Sequence, residues 1–423
     1  MRAWPRPEIP VLPSQPGVVR LHDSLGGHLV PIAPESGTAR VYACGITPYD
    51  ATHLGHAATY VAVDLLNRAL LDCGLNLRYA QNVTDVDDPL LERAAETGVD
   101  WVDLAADQTE LFRTDMTALR VLPPDDYLGV VENLGLVTAS LTDPRIRERL
   151  YQIPDLAYPD WYFEVTADDL DLPMLGLDES SALALFAERG GDPDRPGKRN
   201  PMDCLVWRLA RPGEPAWESP LGAGRPGWHI ECTCLATAAL GPEFDVQAGG
   251  SDLAFPHHPM CAAGARALTG RPFARSYLHT GMVGLDGEKM SKSRGNLVFV
   301  SSLLVEGFDP MAVRLALLAH HYRSDWEFTT VELTTAEHRL ASWRRAVSAP
   351  AGPPAEPVLR ALRTALRDDL AAPQALAVVD DWAQAEGAGG DSAAPALVAA
   401  AVDALLGIRL TSGPGGTAPA STA

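Results

Sequence analysis

The segment Tyr42-Ala43-Cys44-Gly45-Ile46-Thr47-Pro48-Tyr49-Asp50-Ala51-Thr52-His53-Leu54-Gly55-His56 constrains the fold more than any other stretch. An apolar strand, Ala39 to Ala43, ends in a Cys-Gly turn. A short loop then enters a long amphipathic helix, His53 to Gly74, with Gly74 as its stop. A second strand, Asn76 to Thr84, follows. Strand, helix, strand at this spacing predicts a βαβ unit and hence a parallel sheet, whose ligands bind beyond the carboxyl ends of its strands. His53 and His56 share one helical face at the helix N-terminus, where unpaired backbone N–H groups attract phosphate. Gly55 between them carries no side chain, so a flat base can approach the backbone. The plain alternative is a strand–helix junction with two surface histidines.

Other polar groups fall at the same edge. The second strand runs into Asn82-Val83-Thr84-Asp85-Val86-Asp87-Asp88, which reads either as a ligand-facing turn or as the cap of a helix over Pro89–Thr97. Asp245 to Asp252 reads as a strand running into a glycine turn, Gly249-Gly250-Ser251-Asp252; a simple turn is the alternative to a ribose-binding one. Cys44, Cys232 and His257 sit at strand ends or helix starts of the expected sheet. Two thiolates and an imidazole form a zinc set, and three protein ligands leave one position open. By spacing alone, three residues so scattered are usually coincidence. Cys261, four residues after His257, shares its helical face and is either a fourth ligand or a small buried thiol.

Lysine usage is uneven. Among 34 cations only Lys198, Lys289 and Lys292 are lysine, and two of these lie in Lys289-Met290-Ser291-Lys292-Ser293. A chain that otherwise uses arginine has kept an ammonium there, which points to a role that arginine does not fill. The net charge of −21 argues against a polyanionic partner held through many phosphate contacts. No apolar run approaches the ~18 residues of a spanning helix, so no membrane passage is expected. The N-terminus lacks an apolar signal core, and the six cysteines are too few for a disulfide framework, so a cytoplasmic protein is expected.

In chain order, the proline-spaced residues 1–38 read as an extended segment and 39–125 as the first half of a nucleotide-binding fold. Residues 126–202 read as an insertion, with helices over 128–141 and 144–153, a strand at 161–165 and a short helix at 182–189. The second half resumes at 203–280 with a strand at 203–208. Residues 281–349 carry the lysine motif and connecting helices, including one over 303–318. A linker precedes a helical bundle over 358–410, and 411–423 reads as a disordered tail.

The pair His53-Leu54-Gly55-His56 and Lys289-Met290-Ser291-Lys292-Ser293, in this order, resembles the class I aminoacyl-tRNA synthetases. Cys44-Gly45-x-Thr47, Tyr49-Asp50, Asn82-Val83-Thr84-Asp85-x-Asp87-Asp88, Gly224 to Cys232 and Phe255-Pro256-His257-His258 are similar to the cysteinyl-tRNA synthetase family, over roughly 40–125 and 185–385. Cys44 to Ala57 and Glu188-Arg189-Gly190-Gly191-Asp192-Pro193 resemble the branch of that family that joins cysteine to the amine of glucosaminyl-inositol in mycothiol biosynthesis. The fold so implied is an α/β, Rossmann-like class I synthetase catalytic domain with an inserted α+β segment and a C-terminal helical bundle.

The resemblance implies an AMP-forming ligase that activates L-cysteine with ATP and Mg2+, then passes it to glucosaminyl-inositol. It assigns His53, His56, Lys289 and Lys292 to catalysis by charge stabilisation. It assigns Cys44, Gly45, Ile46, Thr47, Thr59, Asn82, Val83, Thr84, Trp228, Gly250, Ser251, Asp252 and Val283 to the adenylate pocket. One Zn2+ would sit on Cys44, Cys232 and His257. The synthetases carry a zinc-binding glutamate where this chain has Cys261. A monomer with no nucleic-acid partner is expected, since Ala371 to Ala423 holds one cation, Arg409, and no room for an anticodon-reading module. A cysteinyl-tRNA synthetase, a paralogue with another amine acceptor and a non-catalytic protein on the same fold stay open as alternatives.

Overall fold

The structure is a computed structural model that describes residues 1–285, 287–290, 297–385 and 390–411. The expected tail beyond Thr411 lies outside these residues. At the centre is a five-stranded sheet built from β1 (Thr38–Ile46), β2 (Asn76–Val83), β3 (Asp126–Gly129), β4 (Phe244–Gly250) and β5 (Ala274–Thr280). Its order is β5-β4-β1-β2-β3 and every neighbouring pair is parallel. The sheet therefore winds outwards in both directions from β1, and the space beyond the ends of β1 and β4 is the switch point at which such sheets bind ligands.

Strand parity sorts β1 between two cores. Val41 and Ala43 join one apolar cluster with α1 (Leu54–Asp72), whereas Tyr42 and Cys44 join another with α2 (Trp228–Leu240) and α3 (His257–Thr269). Successive strand residues point to opposite faces, so the sequence itself delivers Cys44 to the α2–α3 side. Helix periodicity does the same for its partners. Cys232, Ala236 and Leu240 on α2, and Cys261 and Ala265 on α3, recur every four residues and face the same cluster. The opposite sides of these helices, Ile230, Cys234, Met260 and Ala263, enter the core of the insertion. Helices so apolar all round are buried on both sides.

Three stretches depart from the expected elements. Residues 126–129 are not the start of a helix but the edge strand β3, so the core sheet takes in residues assigned to the insertion; a 3-10 turn follows over Val131–Asn133 and the α-helix begins at Leu134. Four residues with no apolar run carry little signal for an edge strand. Strand Cys204–Leu209 does not resume the nucleotide-binding half. It is the third strand of an antiparallel sheet with Leu150–Gln152, Trp161–Phe163 and Gly224–Pro226, so the insertion runs on to Pro226. An apolar strand announces itself in sequence, but its partner does not. The helix expected over 144–153 is one turn, Pro144–Arg147, followed by the strand Leu150–Gln152. That over 303–318 is two helices, Val300–Val305 and Pro310–Leu318, parted where Asp309 caps the second.

The C-terminal helices Thr330–Val347, Ala355–Arg367, Ala372–Gln384 and Ala394–Leu406 share one apolar core with α1. A buried polar hub ties them to it. Asp64 on α1 accepts from Arg68 Nε at 2.7 Å, from Arg314 and from Leu122 N at 2.8 Å. Arg68 donates on to the carbonyls of Asp403 and Arg120, and Arg314 to those of Leu406 and Leu119. These carbonyls end helices Trp101–Ala118 and Ala394–Leu406, where a cation is favoured.

Candidate active site

Cys44 and Gly45 do not form the expected turn but carry β1 on to Ile46 through an irregularity in its pairing with β2, and crowding dictates the glycine there. A Cβ on Gly45 would lie 1.5 Å from the carbonyl oxygen of Asn82, so only glycine lets β1 run this close to β2. Asn82 uses the approach: its Oδ1 accepts from Gly45 N at 2.8 Å and from Tyr42 OH at 2.9 Å, and its Nδ2 donates to Thr84 Oγ1 at 3.1 Å.

The loop then enters α1 with His53 as N-cap. Its Nδ1 accepts from Gly55 N at 3.1 Å and His56 N at 3.4 Å, which leaves Nε2 to carry the proton of the neutral ring. The His53 and His56 rings stack at 3.8 Å, and no acidic residue in the first turn offsets the positive helix end. Thr59, one turn further on, hydrogen-bonds Thr280 at the end of β5 at 2.7 Å.

Cys44, Cys232 and His257 converge. Their ligand atoms all lie within 4.8 Å of one another and all three residues are buried. Ligand atoms around a tetrahedral zinc are roughly 3.5–3.8 Å apart, so the group needs to close only slightly to hold one. Cys232 is the thiol most readily ionised: hydrogen bonds from Cys261 and Cys44 hold it well below the usual range, while burial pushes Cys44 and Cys261 up. His257 is fixed from two sides, by Trp228, whose ring stacks on it at 4.3 Å, and by His229, 2.9 Å away between Nδ1 atoms. Cys261 lies beside the group, 3.7 Å from His257 Nε2, and its Sγ donates to the carbonyl of His229 at 3.3 Å.

Residues that the sequence did not single out hold these ligands. His258 Nε2 is 3.4 Å from Cys44 Sγ, and its Nδ1 meets His279 Nε2 at 2.8 Å. Burial pushes His258 and His229 well down and His279 down to about 4, so all three are neutral partners. The doublet His257-His258 was the only signal in the sequence for this support.

One cavity of about 780 Å3 takes in Cys44, Cys232 and His257, the start of α1 and the β4 turn. Among the expected residues, Cys44, Gly45, Ile46, Thr47, His53, His56, Thr59, Asn82, Thr84, Trp228, Cys232, Gly250, Asp252, His257 and Val283 line it. Val83 and Ser251 are not among its lining residues, and Cys261 lies behind it. The backbone of Lys289 pairs with Gly284 next to Val283; its side chain, and Lys292 altogether, lie outside the described residues. Tyr49, Asp50, Asp87, Asp88 and Glu188 to Asp192 also face the cavity. Asp87 both caps the helix Asp88–Thr97 and faces this space, so the two readings of its segment coexist; burial pushes its carboxyl up to about 6. No helix among the described residues is long and apolar enough to cross a membrane.

A parallel sheet of order 3-2-1-4-5 from the other edge, with a histidine-capped helix at its switch point, defines a class I synthetase-type nucleotide-binding core. Solved structures share it: the Mycobacterium tuberculosis methionyl-tRNA synthetase in complex with methionyl-adenylate has a TM-score of 0.59 at 16% identity, covering 87% of this chain and 89% of its own. The LeuRS of Agrobacterium radiobacter K84, in ternary complex with tRNA and LeuAMS, has a TM-score of 0.59 at 11% identity, covering 88% and 83%. The family described as "tRNA synthetases class I (C) catalytic domain" matches residues 32–338. The chain is 57% identical over 97% of its length to the whole L-cysteine:1D-myo-inositol 2-amino-2-deoxy-alpha-D-glucopyranoside ligase of Thermomonospora curvata, and 58% over 97% to that of Kineococcus radiotolerans, also over its full length. The chain belongs to this family of synthetase-like cysteine ligases.

Proposed function

We propose that the protein activates L-cysteine as cysteinyl-adenylate and transfers it to the amine of 1D-myo-inositol 2-amino-2-deoxy-α-D-glucopyranoside. The cysteine carboxylate attacks the α-phosphate of ATP and pyrophosphate leaves. The amine nitrogen then attacks the anhydride carbonyl, an amide forms, a proton is lost and AMP departs. The observation that carries this reading is the buried Cys44–Cys232–His257 group opening into the same cavity as the histidine-capped start of α1. It sets a thiol-selective element beside a phosphate-binding one.

In this reading His53 and His56, with the N–H groups of α1, stabilise charge on the phosphates, and Lys289 and Lys292 assist with Mg2+. Asp252 receives the ribose. Gly45, Ile46, Thr47, Thr59, Asn82, Thr84, Trp228, Gly250 and Val283 shape the adenylate pocket around the strand ends, with Val83 and Ser251 as backbone supports. Cys44, Cys232 and His257 hold one Zn2+, which when bound takes a thiolate in preference to a hydroxyl and so favours cysteine over serine. Trp228, His229, His258 and Gln247, whose Nε2 lies 3.7 Å from Cys44 Sγ, keep the ligands oriented.

The testing experiment incubates the purified protein with ATP, cysteine and either the amino sugar or tRNA, and analyses the products by mass spectrometry. Amide and AMP from the amino sugar are expected. Charged tRNA without amide would replace this reading with the synthetase one.

A further inference from the structure

The cavity extends to the insertion, where Phe186, Glu188–Asp192, Cys204 and Arg208 wall it. Of the loop 189–198, residues 189–192 belong to this wall, and the loop is built to stay in place. At its start, Arg189 Nη1 donates to the carbonyl of Asp252 at 2.8 Å and to that of Phe255, so it is docked on the turn between β4 and α3. Gly190 has φ +88°, and a Cβ on Gly191 would lie 2.6 Å from the Phe186 ring, so the Gly-Gly pair is what lets the chain double back against that ring.

At its end stands Lys198, the one lysine outside the Lys289–Ser293 motif. Its side chain is 2% exposed. The ammonium donates to Asp192 Oδ1 at 3.0 Å, Asp192 O at 3.1 Å and Pro201 O at 2.7 Å, and lies 5.0 Å from the Phe186 ring and 5.4 Å from that of Tyr162. Tyr162 OH donates to the second oxygen of Asp192. Three acceptors around one nitrogen suit a compact ammonium and not a planar guanidinium, which accounts for lysine here. The clasp thus fixes Asp192, which faces the cavity. The cations on this side are already engaged: Arg189 by carbonyls, Arg208 by Glu214, and Arg225 by Asp88 and Glu214. These cations are therefore balanced and do not repel a cationic molecule that enters here.

We propose that the end of the cavity walled by residues 189–192 is the acceptor subsite, taking a polyhydroxylated amine, and that Lys198, through Asp192, is its positioning residue. This rests on the two-step reading above and extends it. Activation needs the metal group and the start of α1, whereas only transfer needs this end, so the two half-reactions separate the roles. Cysteine-dependent ATP–pyrophosphate exchange reports the first; amide formation with glucosaminyl-inositol reports the second.

In the full-length, zinc-loaded protein, Lys198→Ala is expected to raise KM for the amine at least ~10-fold, the scale for losing a charge-assisted hydrogen bond. Exchange should stay within about twofold of the parent, since no activation group is touched. Gly191→Ala and the milder Tyr162→Phe, which keeps the ring and removes one hydrogen bond, should shift the same constant in the same sense. Tyr162→Phe supplies the reading should Lys198→Ala fail to fold. Exchange and transfer falling in parallel, or an unchanged KM for the amine in the folded variants, would overturn the subsite. Absence of amide formation in the parent protein is a different result, and it removes the two-step reading itself.

Discussion

Cys44 reaches the cysteine–histidine group by strand parity, Cys232 and Cys261 by four-residue helical recurrence, and His257 by opening the helix that carries Cys261. Their placement at strand ends and helix starts was legible in the sequence, because such boundaries are local, but spacing alone did not say that they meet. What surrounds them was not legible: the pairings of His229 with His257 and of His258 with Cys44 span 28 and 214 residues. Elemental analysis of Cys232→Ala should show loss of most of the zinc, because the group loses the thiol most readily ionised in it. A full equivalent retained would remove the assignment. Cys261→Ser should leave chelator resistance near that of the parent if Cys261 is only a donor to its neighbours; clearly faster zinc loss would make it a ligand. Lys292 tests a different group. Lys292→Ala should slow cysteine-dependent pyrophosphate exchange ~10²-fold, the scale for one transition-state charge contact. An equal slowing by Lys198→Ala would undo both the distinction between the lysines and the separate acceptor subsite.

Among the elements, α1 joins the site to the rest of the molecule. Its first turn carries His53 and His56, and its third holds Asp64 in the hub with Arg68 and Arg314. Burial raises the Asp64 carboxyl, but the two guanidinium groups outweigh it and hold the group below the usual carboxylate range. On the other side burial wins: Arg314 is pushed down to about 10, which still leaves it charged at neutral pH. A carboxyl lowered on folding contributes stability above its unfolded value of ~3.9, and that contribution fades as pH falls through the lower folded value. Asp64→Asn leaves two buried cations short of a partner, so thermal unfolding at pH 7 should show a loss of about 3–5 kcal/mol. The difference from the parent should shrink below about pH 4. A loss under about 1 kcal/mol would mean that the hub is solvated. The long helices and the βαβ unit were legible from periodicity and glycine stops. The edge strand Asp126–Gly129 and the partner of Cys204–Leu209 were not, since pairing between strands distant in sequence leaves no local mark.

At the scale of the whole molecule, charge bears on which acceptor can arrive. The net charge is −21, and Ala371 to Ala423 has one cation, Arg409, against Asp380, Asp381, Glu386, Asp391 and Asp403. Pairing softens this only in part, through Arg339 with Asp380 and Arg120 with Asp403. A tRNA would have to be held by many phosphate contacts, each weakening as salt rises. A small amine needs none of these, and when protonated it is expected to be attracted by an acidic field. Its encounter should therefore be slowed by salt, because screening removes attraction between unlike charges. Transfer to glucosaminyl-inositol, measured as kcat/KM for the amine, is expected to fall several-fold between roughly 0.01 and 0.3 M NaCl, with exchange from cysteine and ATP changing less. Raising pH through the amine's own titration should flatten the salt response, since a neutral amine feels no field. A kcat/KM that rises with salt, or one equally salt-dependent for the protonated and neutral amine, would show that the protein's charge does not guide the acceptor and would leave the choice between amine and tRNA to the pocket alone.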